Sequence, residues 1–190
     1  MFAISILLDK SEQMFCNHKK GEIMKLEYKH QKEMTFIGYY TEIKMNEGYE
    51  KCPEFWDKEY AEKYSKLFAS MIPENDEERA ILENNIGMYA LCVDQGGEFQ
   101  YWIAGEYKGG MVPEGFSLYT FPESEWALFS TKGPIPSSIQ ELNTYIWKDW
   151  METEGKEKGA KVKATIEVYS VGNPRSPEYE SGIWIPISRN

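Results

Sequence analysis

The chain has 190 residues, 42% of them apolar and 15% aromatic, and 21 basic against 31 acidic side chains leave a formal charge of −10. That is enough chain to bury a core in one large domain or two small ones, and its negative charge repels nucleic-acid phosphates and anionic membrane surfaces alike. Three cysteines, Cys16, Cys52 and Cys92, form no paired framework, which points to a reducing compartment, the cytoplasm.

Residues 1–24 show no clean periodicity, and within them residues 2–8 read as a remnant of another element or as a peripheral strand. That stretch has no basic residues before it, no cleavage pattern, and is too short to cross a bilayer. Residues 26–45 turn to Tyr, Thr, Ile and Phe in two short extended runs, broken at Gln31, Lys32 and Glu33, and read as two strands. Pro53 suits a helix start, and Trp56, Tyr60, Tyr64, Leu67 and Met71 recur at helical spacing until Pro73. The acidic residues 74–83 form a charged connection that reads as a solvated helix end or loop. Strands over residues 86–93 and 99–106 follow, joined by the turn signal Asp94-Gln95-Gly96-Gly97.

The same order then returns. Strands over residues 116–121 and 126–131 precede a helix over residues 136–151 with Ile139, Leu142, Ile146 and Trp150 on one face, and strands near residues 163–170 and 179–187 close the chain. The two halves, residues 25–110 and 111–190, share one plan, a structural repeat with few identities. Neither strand–helix–strand–strand unit can bury all its apolar faces alone. The expected fold is therefore α+β, a duplicated βαββ arrangement with antiparallel sheets turned toward each other, helices outside and a groove between the halves.

Pro113-Glu114-Gly115-Phe116, Phe121-Pro122, Trp126-Ala127-Leu128-Phe129, Lys132-Gly133-Pro134, Tyr145-Ile146-Trp147-Lys148-Asp149-Trp150, Glu167-Val168-Tyr169 and Ile185-Pro186-Ile187 follow one another in an order and spacing that resemble the GyrI-like domain. This is the effector-binding domain of transcription activators of the Rob and BmrR type, which also occurs alone. The first half matches mainly by layout. The resemblance implies two βαββ repeats over residues 25–190, a hydrophobic pocket between them that binds lipophilic cations with a buried glutamate, and cytoplasmic residence; Glu167 occupies the glutamate's position. The usual pair of DNA-binding helix-turn-helix units needs about 100 residues, against the ~25 preceding the domain, so a standalone form without direct nucleic-acid binding is expected.

Alternation along Ala164-Thr165-Ile166-Glu167-Val168-Tyr169 puts Ala164, Ile166 and Val168 on one sheet face and Thr165, Glu167 and Tyr169 on the other. Taking the apolar set as the helix side turns Glu167 toward the inter-repeat groove. A carboxylate in a low-dielectric wall must be hydrogen-bonded, protonated or matched by a cation there. Tyr89, Trp102, Trp126 and Trp184, each in a strand able to border the groove, are the candidate aromatic walls, since a ring face attracts a desolvated cation.

Other constellations are weaker. His18, His30 and Cys16 do not complete a tetrahedral metal set, Gly96-Gly97 and Gly109-Gly110 read as turns and make no phosphate cradle, and Cys52 and Cys92 read as buried thiols. No metal or cofactor is expected. The leading function is a sensor or sequestering protein for an amphipathic cation, as a monomer or homodimer. The resemblance also admits hydrolysis of cyclopropane-bearing alkylating compounds with Glu167 as general base, and inhibition of DNA gyrase by protein contact.

Overall fold

The computed structural model describes residues 14–15, 24–161 and 163–187, so the expected strand over residues 2–8 lies outside it. Among the described residues nine strands form one antiparallel sheet: β1 (Met14–Phe15), β2 (Lys25–Gln31), β3 (Met34–Lys44), β4 (Tyr89–Asp94), β5 (Glu98–Glu106), β6 (Ser117–Phe121), β7 (Ser124–Lys132), β8 (Ala164–Tyr169) and β9 (Glu180–Ile187). Their order is β1-β2-β7-β9-β8-β4-β5-β3-β6. Outward from the β8–β4 junction, β8, β9, β7 and β2 on one side answer β4, β5, β3 and β6 on the other, so the duplication read from the sequence is present. The first strand of each half crosses over, β2 pairing with β7 and β6 with β3.

That exchange shapes the molecule. Two-residue links join β2 to β3 and β6 to β7, although both pairs stand far apart in strand order. Only a sheet curled until its ends approach can satisfy such links, and Phe121 of β6 meets Trp126 of β7 at 5.2 Å between ring centroids. The inward face carries Phe36, Leu91, Trp102, Ala104, Phe121, Trp126 and Ile166 and no buried helix residue. The helices pack outside.

The first-half helix starts earlier than Pro53 suggests and is broken. It comprises α1 (Gly48–Phe55), a π-helical continuation over Trp56–Glu62, and α2 (Ser65–Ser70), which ends where Met71 turns left-handed at φ 54°. Tyr64 and Leu67 reach the core as their spacing predicts, whereas Met71 is exposed. Residues 74–83, read as a solvated helix end or loop, contain a helix of their own, α3 (Asp76–Glu83), which is partly buried. Asn75 Oδ1 caps it by accepting from Glu78 N at 2.8 Å, and Ala80 and Ile81 are buried. One run of three apolar residues, Ala80-Ile81-Leu82, among so many charges is too short to show a helical period. In the second half α4 (Ser137–Tyr145) runs into a π-helical turn, Ile146–Trp150, with Ile139, Leu142, Ile146 and Trp150 buried as expected, and is followed by the short α5 (Glu154–Glu157). No described helix is long and apolar enough to cross a membrane.

Candidate functional site

On the outer face α1 lies over β3 while α4 lies over β7 and β9, which leaves the central strands β4 and β8 beneath the junction of the two helices. Pro53 matters to that junction. Lacking an N–H, it cannot bond the Tyr49 carbonyl four residues earlier, and that carbonyl instead accepts from Gln140 Nε2 of α4 at 3.0 Å. The Tyr49 hydroxyl lies 2.8 Å from Thr144 Oγ1 and accepts from Asn143 Nδ2 at 3.3 Å.

Glu167 stands on β8 under this junction. Tyr101 Oη and Tyr169 Oη each donate to its Oε2 at 2.7 Å, and Trp56 Nε1 donates to Tyr101 Oη at 2.9 Å. The Trp56 and Tyr169 rings meet edge to face, 5.3 Å between centroids. The other carboxylate oxygen, Oε1, accepts no hydrogen bond from the described residues, none of which forms an ion pair with Glu167; the side chain is only partly covered. Loss of water raises the Glu167 pKa above the ordinary carboxylate value, and the two phenol donors only partly oppose this. Burial first, and the Glu167 charge second, push Tyr101 well up. The same two causes, in the same order, push the Cys52 and Cys92 thiols up. Among the described residues the arrangement is a carboxylate with one oxygen anchored and the other unbonded, beside aromatic rings and without a counterion.

The strand alternation around Glu167 is as read from the sequence, but the assignment of faces is reversed. Trp102, Leu91, Ile166 and Trp184 are cross-strand neighbours in one row, and Ile103, Ala90, Glu167 and Ile183 in the next. Successive rows face opposite sides, and the first row belongs to the inward cluster. Trp102, Trp126, Tyr89 and Trp184 therefore all lie on the inward side, away from Glu167, with Trp126 fully buried and the Tyr89 and Trp184 rings 6.4 Å apart. The groove expected between the facing sheets is packed with these side chains. The centre of that concave face is apolar and aromatic, so Ile166 lies there and the carboxylate goes outward.

The residues that accompany Glu167, namely Tyr101, Tyr169 and Trp56, were not among the sequence candidates. Tyr169 was legible, being two residues on and hence on the same face. Tyr101 and Trp56 reach the site only through pairing of β5 with β4 and packing of the π-helical segment after α1; the helical spacing put Trp56 on a buried face without tying it to Glu167. His30 lies 3.0 Å from Glu123 Oε1 and 3.1 Å from Glu125 Oε1 at the β2–β7 edge; His18 and Cys16 lie outside the described residues.

Comparison with known proteins bears on this geometry. The family model described as the GyrI-like small-molecule-binding domain matches residues 24–188. The transcriptional regulator BrlR of Pseudomonas aeruginosa is 31% identical over 101 residues, covering 52% of this chain and 37% of that regulator. Among solved structures, SAV2435 bound to tetraphenylphosphonium superposes with a TM-score of 0.67 at 17% identity, covering 86% of this chain and 93% of that one. A bacterial transcription regulation protein from Staphylococcus aureus MU50 gives 0.64 at 17% identity, covering 86% and 98%. At such identities these structures speak to the fold.

Proposed function

The chain belongs to the GyrI-like small-molecule-binding family, and from that premise we propose that its ligand is a lipophilic cation held over β4 and β8, beneath the α1–α4 junction, with Glu167 as counterion. The observation that carries this reading is the carboxylate itself: Oε2 is fixed by two phenols, while among the described residues Oε1 has no hydrogen-bond partner and no cation pairs with the charge. A desolvated carboxylate in that state gains from an incoming positive charge what it lost on leaving water. The Trp56 and Tyr169 rings lie where they can add cation–π attraction, about 2 kcal/mol when water is excluded. The tetraphenylphosphonium complex of SAV2435 supports the choice of ligand class, as it shows a like fold accepting a delocalised cation.

In this reading the protein senses or sequesters amphipathic cations in the cytoplasm, where Cys52 and Cys92 stay as thiols. A role in transcriptional regulation goes with the likeness to BrlR, of which the matched stretch spans about a third. The test is a tryptophan-fluorescence and calorimetric titration with tetraphenylphosphonium beside the neutral triphenylphosphine oxide. Saturable quenching by the cation, with much weaker binding of the neutral compound, is expected. Equal affinities would remove the electrostatic part of the proposal.

A further inference from the structure

A second feature lies along β3, away from Glu167. Within the β3–β5 ladder Tyr107 N donates to Thr35 O and Met45 N to Gly97 O, which sets the odd-numbered residues of β3 against β5. The even-numbered residues turn their N–H and C=O groups the other way, toward β6. That strand ends early, its last pair being Gly38 with Ser117. Beyond it the main-chain groups of Tyr40 and Glu42 pair with no described strand, while the Lys44 carbonyl is taken by Glu47 N at 2.9 Å. An open strand edge of this kind is a template for another extended chain.

A cleft of about 690 Å³ lies beside this edge, and Tyr40, Glu42, Glu114 and Phe116 are among the residues that line it. Six glutamates line it against three lysines. All three lysines are engaged: Lys51 and Lys58 lie 2.8 and 2.6 Å from Glu54, and Lys63 lies 2.6 Å from Glu77. Glu42, Glu47, Glu59 and Glu114 have no ion pair among the described residues. The exposed Tyr40 ring, stacked on Trp102 at 4.7 Å, adds a π face beside the open backbone.

We propose that the open half of the β3 edge is a docking site for an extended, lysine- or arginine-bearing segment of a partner protein, which adds as a strand with its main chain on Tyr40 and Glu42 and its cations on the unpaired glutamates. Main-chain pairing supplies affinity and alternate side chains supply selectivity, as in strand-addition complexes generally. A second copy of this chain is the poorer occupant, because it brings the same uncompensated glutamates to the contact. The site is independent of Glu167.

Fluorescence anisotropy with a labelled peptide of alternating valine and lysine tests this, with a valine–glutamate peptide as control. The basic peptide binds with an affinity that falls as salt rises, and the acidic one does not bind. Glu42→Pro deletes an edge donor that β5 does not use and is tolerated at such a position; it weakens binding by about tenfold or more with an unchanged circular dichroism spectrum. Glu114→Lys weakens binding and flattens the salt dependence, whereas Glu167→Gln leaves peptide binding as it was. Comparable binding of the acidic peptide, or undiminished binding by Glu42→Pro, overturns the proposal. So does sedimentation showing self-association that Glu42→Pro abolishes while the basic peptide fails to bind.

Discussion

Glu167→Gln isolates the charge at the centre of the site. Both phenols donate to the same carboxylate oxygen, so a glutamine whose Oε1 takes the place of Oε2 keeps both hydrogen bonds and loses only the charge. A cation centred about 5 Å from the carboxylate, at an effective dielectric of about 20, is attracted by about 3 kcal/mol. Part of that is spent ionising a carboxyl whose pKa burial has raised, which leaves a net loss on substitution of about 1–3 kcal/mol, or about 5- to 150-fold in Kd for tetraphenylphosphonium. The unliganded protein responds with the opposite sign. A carboxyl raised in the folded state contributes stability that is present below its unfolded pKa of about 4.3 and is lost as pH climbs through the raised value. The variant lacks that loss, so at pH 7 it melts above the wild type, and the gap closes as pH falls toward about 4.5. Calorimetric titration and thermal melts between about pH 5 and 8 read both effects, with wild-type affinity falling toward acid and the variant's staying flat. A Kd within about twofold of wild type in a folded variant, or parallel pH profiles, would refute the counterion role.

Trp126→Phe tests the reassignment of the inward aromatics. Trp126 is wholly buried and its Nε1 has no partner among the described residues, so the variant loses ring volume and about 1–3 kcal/mol of stability while Kd for tetraphenylphosphonium is unchanged; a large rise in Kd without a fall in Tm would return that face to the site. Gly105→Ala places a Cβ 2.0 Å from the Asn84 carbonyl oxygen, a backbone atom that cannot swing away. A cost of about 1–3 kcal/mol lowers Tm by about 3–10 °C for a chain of this size, and an unchanged melt would contradict that packing. Asn75→Ala removes the cap on Glu78 N of α3 and costs about 1 kcal/mol by chemical denaturation, whereas no change would show that α3 does not need it.

Local order settled a good deal of this protein before any tertiary contact. Alternation in residues 164–169 placed Glu167 and Tyr169 together, helical spacing selected Ile139, Leu142, Ile146 and Trp150 for the core, and the glycines after Asp94 made a turn whose residues take φ of 81° and 127°. The recurrence of one element order in both halves announced the duplication. The tertiary structure alone decided the crossing of β2 and β6, the curl that this forces, and hence which face of β8 is closed and which lies under the helices. It also brought Tyr101 and Trp56 to Glu167 and made a helix of residues 76–83. A period of two residues states which side chains share a face, but not which face another part of the chain will cover. That second choice is made by pairings between distant strands, and it moved the carboxylate from the groove between the sheets to the outer face, under the helix junction.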